Sequence, residues 1–331
     1  MDNPLYDNTH RAFLQALLAT QTLTFPAAQT LIAKIQTAAD PSRPVPPNDI
    51  LREEFTSYIT ALNEAISPFD FEFRSALHQS RAGEEVWALV NVQSDGVTQM
   101  ATRLGVEELA FLRRVLDRMF EVNNTKAREV MAVTGQEALQ CARVGSGRES
   151  GVGATQGEES QARVVGITQV QAEKVLAGLV KEGWFEQSAK GWYSLSPRTL
   201  MELRGWLVDT YNDPADEDGE EEDEEARHQA IKFCAACKGI VTVGQRCPDL
   251  SCAARLHDHC VGKMWAAQGR REECPSCKKE WKELGLVGEK AARRGRLIAG
   301  AGAGAARTSN GRRRTYGMNT DGAADEESSD D

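Results

Sequence analysis

The stretch that decides the fold reads Cys234-Ala235-Ala236-Cys237, nine residues, Cys247-Pro248-Asp249-Leu250-Ser251-Cys252, four residues, His257-Asp258-His259-Cys260, thirteen residues, Cys274-Pro275-Ser276-Cys277. Seven of the eight cysteines of the chain lie in it and only Cys141 lies elsewhere. Thiolates and an imidazole in closely spaced pairs suit zinc, and eight ligands fill two tetrahedra with no position left for water, so the expected ions are structural. Each can contribute on the order of 10 kcal/mol to folding, which lets a short segment with few apolar side chains hold one shape. A cross-braced division is expected, with Cys234, Cys237, His257 and Cys260 on one ion and Cys247, Cys252, Cys274 and Cys277 on the other; His259 is the rival to His257.

Outward from this segment, composition changes abruptly. Asp213 to Glu225 holds ten carboxylates and no base, equal to the whole formal net charge of -10, so the acidity is one segment, read as a solvated linker over 212–230. On the far side, residues 286–331 turn basic and then acidic around an Ala/Gly tract, a composition that cannot bury a core and is expected to be a disordered tail. The chain opens Met1-Asp2-Asn3-Pro4 without a basic start and apolar run, and no stretch of about 18 apolar residues occurs, so neither secretion nor membrane insertion is expected. A reducing compartment follows, where clustered cysteines bind metal and do not pair as disulfides.

The first 211 residues carry the apolar periodicity. Asn8 or Thr9 is expected to cap a first helix with Phe13, Leu14, Leu17 and Leu18; Thr24 a second with Leu31, Ile32 and Ile35; and Asn48 is expected to start a third with Leu51, Phe55, Ile59, Leu62 and Ile66 on one face. Phe69, Phe71 and Phe73 alternate as a strand, and Val86–Val92 makes a second, giving three helices and a hairpin, the order of a winged helix. The order recurs without sequence repetition. Helices are expected at Val106–Phe120, at Lys126–Arg143 and from a Thr168 cap to a stop at Glu182-Gly183, then a wing whose tip is Ser188-Ala189-Lys190-Gly191, then a closing helix from Pro197 to Tyr211. The fold class expected is thus mainly α with small β-hairpins (α+β): a winged helix at 1–94, a second at 95–211 with a Gly/Ser insertion at 145–160, a linker at 212–230, a two-zinc domain at 231–285 and a tail at 286–331.

The ligand order of four Cys, one His and three Cys resembles two families, the PHD finger and a RING variant. A PHD finger usually carries an aromatic two residues before its seventh ligand, where this chain has Glu272, and a histone-reading cage would have only Phe233 to draw on. Cys274-Pro275-Ser276-Cys277 resembles the closing knuckle of a RING, and Val261–Ala267 its short helix. With His10-Arg11-Ala12-Phe13-Leu14-Gln15-Ala16-Leu17, Val90-Asn91 and Ser94-Asp95, the whole ordered chain resembles the non-SMC element one family, a subunit of the structural maintenance of chromosomes five/six complex. The resemblance implies winged helices that dock on a MAGE-like partner and the kleisin, a RING linked to ubiquitin ligase activity, and a nuclear role in DNA repair.

A RING performs no covalent chemistry; it positions a ubiquitin-conjugating enzyme. Docking residues implied by the resemblance are Ala236, where a large aliphatic is common, Met264 at the helix position often held by Trp, Trp265 one step on, Pro275, and Lys278 as a cation after the last ligand, which read on its own is an ordinary solvated lysine. The alternative is a non-catalytic structural or interaction subunit whose zinc module is a protein-docking or a histone-reading, PHD-like element. For DNA, Thr168–Gly183 carries Lys174 and Lys181 against Glu173 and Glu182, a neutral sum that argues against groove reading. Leu286–Arg314 has eight bases against Glu289, enough for nonspecific phosphate contact or nuclear import, or simply for solubility. Cys141 reads as core, and no nucleophile with a base and no carboxylate pair in a recognisable setting appears, so a hydrolase is unsupported.

Overall fold

The first helix is capped by Asp7, just ahead of the two expected caps, because its carboxylate accepts the Thr9 and His10 backbone N–H groups at 2.8 and 3.2 Å. The computed structural model describes residues 6–92, 103–143, 166–212, 229–281 and 285–292. The Gly/Ser insertion at 145–160, the linker between 213 and 228 and the tail from 293 lie outside the described residues.

In the first unit, α1 (Asn8–Thr20), β1 (Thr22–Thr24), α2 (Phe25–Ala39) and α3 (Arg52–Ile66) are followed by β2 (Phe71–Leu77) and β3 (Glu85–Asn91). Phe13, Leu17, Ile32, Phe55 and Leu62 form its core. α3 begins at Arg52 and not at Asn48, because Pro46 and Pro47 set up a separate 3-10 turn at Pro47–Asp49 and Ile50 and Leu51 leave it extended. Phe69, expected in the strand, sits in a turn ended by Asp70 at φ +59°, and its ring is exposed. The sheet has a third strand the sequence reading lacks: β1 pairs β3, with Thr22 opposite Ala88, in the order β1-β3-β2.

The second unit begins with α4 (Val106–Asp117), which widens into a π turn at Arg118–Val122 while burying Phe111, Leu112, Val115, Leu116, Met119 and Phe120. No helix spans Lys126–Arg143. That stretch is irregular up to β4 (Val133–Thr134) and helical only at α5 (Gly135–Gln140). Thr134 and Glu137 form a capping box, Glu137 accepting the Thr134 N–H at 2.8 Å, so a helix can begin only after Thr134. Ahead of it, Val130–Val133 is an unbroken buried apolar run without helical spacing.

α6 (Gln169–Lys181) is capped by Thr168 as expected, and β5 (Phe185–Gln187) and β6 (Trp192–Leu195) turn at Gly191, φ +75°. β4 adds to β6, giving the order β4-β6-β5. The closing helix is two pieces, α7 (Pro197–Glu202) and α8 (Arg204–Tyr211), because Leu203 leaves the helical path to sit fully buried.

The last unit holds β7 (Gly244–Arg246), β8 (Arg255–Leu256), α9 (Asp258–Ala267) and β9 (Gly285–Val287), with sheet order β8-β7-β9. Gly244 is required where β7 meets β8: a Cβ there would lie 2.3 Å from the Leu256 carbonyl oxygen. Residues 286–292, expected in the tail, are ordered. β9 pairs β7, and Val287 and Ala291 are buried. The second and last units share one apolar core running from Phe111 to Val287, whereas the first unit has its own. Among the described residues no helix is long and apolar enough to cross a membrane.

Candidate metal centres

Two identical backbone knuckles carry half of the candidate ligands. In the first, the Cys234 N–H donates to the Gly239 carbonyl at 2.8 Å and the Lys238 N–H to the Cys234 carbonyl at 2.9 Å. In the second, Cys274 N–H donates to Lys279 and Lys278 N–H to Cys274, at 2.8 and 3.1 Å. Each turn places its residue after the second cysteine in the left-handed region, Lys238 at φ +60° and Lys278 at φ +61°. The loop before β8 supplies Cys247 and Cys252, and the start of α9 supplies His257 and Cys260.

These elements bring the eight side chains into two groups, Cys234/Cys237/His257/Cys260 and Cys247/Cys252/Cys274/Cys277, the ligand atoms of each lying within 4.8 Å of one another. Cys237 Sγ is 3.2 Å and Cys260 Sγ 4.0 Å from His257 Nδ1; Cys247–Cys277 and Cys252–Cys274 sulfurs are 3.5 and 3.6 Å apart. A zinc–sulfur bond of about 2.3 Å makes the edges of a tetrahedron about 3.8 Å long, so both clusters fit the ion. The two Cys/His clusters are geometrically consistent with two zinc sites.

The thiols of each cluster sit in contrasting electrostatic surroundings. Burial and neighbouring thiolates push Cys237, Cys247, Cys252 and Cys260 above the ordinary thiol range. The Lys279 backbone N–H pulls Cys277 below it, and Cys234 falls despite burial through bonds from His257 and backbone N–H groups. Four thiols this close cannot all ionise until a cation joins them.

Of the two histidines, His257 has its ring in the candidate cluster, and its other nitrogen orients it there. Nε2–H donates to the Ile240 carbonyl at 3.0 Å, which leaves the Nδ1 lone pair aimed at the sulfurs. His259 stacks on it at 4.9 Å and lies outside the cluster.

A residue that sequence reasoning missed locks this unit to the rest. Glu129 is 1% exposed and accepts from Arg255 at 2.6 and 2.5 Å and from Lys232 at 2.5 Å, with Arg246 at 3.5 Å. Burial pushes its carboxyl up, but the Arg255 hydrogen bonds and the three cations outweigh burial and hold it at about 2. The Arg255 guanidinium also donates to the Cys252 and Ala254 carbonyls, so the ion pair steadies the turn that carries a ligand. No spacing in the sequence marks Glu129; the only hint is a lone acid beside an apolar run.

Of the docking candidates, Ala236 and Met264 line one groove of about 1000 Å³, lined also by β2, Pro197, Leu200 and Met201 of α7, and Arg204 of α8. Trp265 turns instead against Trp281, ring centroids 5.7 Å apart. Pro275 and Lys278 belong to the second knuckle; the Lys278 ammonium is exposed and donates to the Pro275 carbonyl at 3.0 Å. Phe233 lies under the Arg204 guanidinium at 5.2 Å. Cys141 is half-buried, donates to the Glu137 carbonyl at 3.3 Å and has its thiol pushed up by burial, as a core residue would.

Comparison with known proteins agrees with this architecture. Residues 10–203 match the family described as Nse1 non-SMC component of SMC5-6 complex, and residues 234–277 match a RING-like domain. A non-structural maintenance of chromosomes element 1 homolog from Homo sapiens is 21% identical over 83% of this chain and 84% of its own length, and the Bos taurus homolog 22% identical over 69% and 70%. A solved chain of an Nse1-Nse3-Nse4 complex superposes with a TM-score of 0.60 at 21% identity, covering 86% of this chain and 99% of that one. With the family match spanning more than half of its residues and a two-cluster RING-like module at the expected place, the chain belongs to the Nse1 family of non-SMC components of the SMC5-6 complex.

Proposed function

We propose that the chain is a RING-type ubiquitin ligase subunit of a nuclear SMC five/six complex acting in DNA repair. In this reading residues 1–94 and 95–211 are winged helices that dock on a MAGE-like subunit and the kleisin. The zinc unit extends to residue 292 and presents a ubiquitin-conjugating enzyme with Ala236, Met264, Pro275 and Lys278. The observation that carries the reading is the pair of closed Cys/His clusters within a RING-like module of an Nse1-family chain. The solved relative belongs to an Nse1-Nse3-Nse4 complex, which supports the two partners. The order of three helices, hairpin and added third strand in each unit supports the winged-helix reading. The neutral α6 favours protein docking over DNA reading, and DNA contact is left to weak phosphate binding by the basic segment before residue 314.

One observation favours a second reading, a non-catalytic docking module. Ala236 and Met264 line the same groove as residues of β2 and α7, so a conjugating enzyme has to reach that surface beside the body of the protein. The test is autoubiquitylation by the full chain with and without the MAGE-like partner. Activity that rises with the partner supports the ligase. Ala236→Ile adds two or three methylene equivalents at about 0.8 kcal/mol each, an expected gain of roughly one to two powers of ten in docking. Inactivity of both wild type and Ala236→Ile across a panel of conjugating enzymes, partner present, favours the docking module.

A further inference from the structure

The turn between β2 and β3 carries two neighbouring side chains with different destinations. His78 is buried; its Nδ1 accepts the Ser80 and Arg81 N–H groups at 3.1 and 3.2 Å, and its Nε2 faces the Glu186 carboxylate of β5 at 2.7 Å. Gln79 reaches the zinc unit. Its amide oxygen accepts the backbone N–H of Thr242 at 2.9 Å and of Val243 at 2.8 Å, and the Thr242 hydroxyl at 3.2 Å. Its amide nitrogen donates to the Ile240 carbonyl at 2.8 Å. That carbonyl is the same one that accepts His257 Nε2–H.

We propose that Gln79, a residue of the N-terminal unit, is a positioning residue of the first metal site and sets how tightly that site holds its ion. A carbonyl oxygen has two lone pairs, and here one takes the Gln79 amide and the other the imidazole. The three bonds to Thr242 and Val243 pin the short segment on which this carbonyl stands, so the carbonyl cannot rotate to follow a drifting ring. The imidazole therefore has one tautomer and one plane, and Nδ1 is presented to the cluster before a metal arrives. Partners of this kind change metal affinity without touching the metal, because they orient the ligand that does. Gln79 is neutral, so its effect is orientation and not charge. Among the described residues it makes no bond to the second cluster, which therefore serves as an internal control. The inference stands whether or not the protein transfers ubiquitin, since its readout is metal retention.

The test uses the full chain loaded with zinc and a chromophoric chelator that follows metal release. In Gln79→Ala one equivalent should leave about tenfold faster than in the wild type, the low end of the range for such partners because Gln79 acts through a shared carbonyl. The other equivalent should leave at the wild-type rate. Cobalt(II) replacement assigns the fast one: the absorption of the site that includes His257 should shift and weaken first, with the bands of the all-cysteine site unchanged. Gln79→Met keeps the length of the side chain without a charge but removes the donor to Ile240, and it carries the test by the same criterion where the alanine variant does not fold. Wild-type release of both equivalents, or equal acceleration of both, overturns the proposal.

Discussion

Lys238 and Lys278 occupy the same left-handed position in the two knuckles, a conformation that costs a side-chain-bearing residue roughly 1–2 kcal/mol. Either lysine replaced by glycine should leave the melting temperature unchanged or raise it slightly. If Lys278 contacts the conjugating enzyme, Lys278→Gly lowers ubiquitin discharge while Lys238→Gly does not, and equal discharge by both removes Lys278 from the docking surface. At the neighbouring pair, elemental analysis should return two zinc ions for the wild type and for His259→Ala but one for His257→Ala, since only His257 has Nδ1 in a cluster. The candidate ligands are legible in the sequence because paired Cys spacing is close to a direct record of knuckle geometry. The division between His257 and His259 is not, because it is decided by which ring finds a carbonyl for Nε2. Glu129 is not legible either: its partners come from residues 103 to 126 positions away. Its charge has a measurable signature. A carboxyl held down at about 2 stabilises the fold fully above its ordinary value of 4.5, and that contribution is lost as pH falls from 4.5 through 2. Glu129→Gln should lower the urea midpoint at pH 7, and the gap from wild type should narrow as pH falls through that window; a gap independent of pH would assign Glu129 a packing role only.

Among the elements, those that announce themselves are the ones whose ends are local. Thr168 caps α6 through a reciprocal box with Gln171, at 3.2 Å to the Gln171 N–H and 3.0 Å back to the Thr168 N–H. Thr168→Ala should therefore cost about 1 kcal/mol in chemical denaturation, and Thr168→Ser much less. The same grammar at Thr134 and Glu137 is present in the sequence, and the cap outweighs the apolar content that suggests a helix through Lys126–Arg143. The third strands are a different matter. Thr22–Thr24 and Val133–Thr134 are three and two residues long, too short for alternation to register, and exist because a hairpin edge offers them partners. Strand β9 is hidden for the converse reason: Gly285–Val287 pairs with Gly244–Arg246 from far along the chain, and its neighbourhood in sequence reads as tail.

At the scale of the whole molecule, the apolar clusters divide the chain differently from its linkers. The acidic segment separates the second unit from the zinc unit in sequence, yet these two share one core, while the first unit, joined more closely in sequence, keeps a separate one. Calorimetry should then show two transitions. Chelation of zinc should lower the one belonging to residues beyond 103 and leave the one belonging to residues 6–92 nearly in place; a single transition that moves as a whole would show that the His78 and Gln79 contacts couple all three units. The ends of the acidic segment supply one more consequence. Asn212 and Gln229 form an antiparallel bridge, the Asn212 side chain accepts the Ile231 N–H at 2.8 Å and donates to its carbonyl at 3.1 Å, and Asn124 donates to the Ala230 carbonyl at 2.8 Å. The peptide between 213 and 228 is therefore a second fastening across a joint already closed by backbone and side-chain bonds. Cutting it at an introduced protease site should yield two polypeptides that still travel together on a sizing column, as a dimer of unlike halves would.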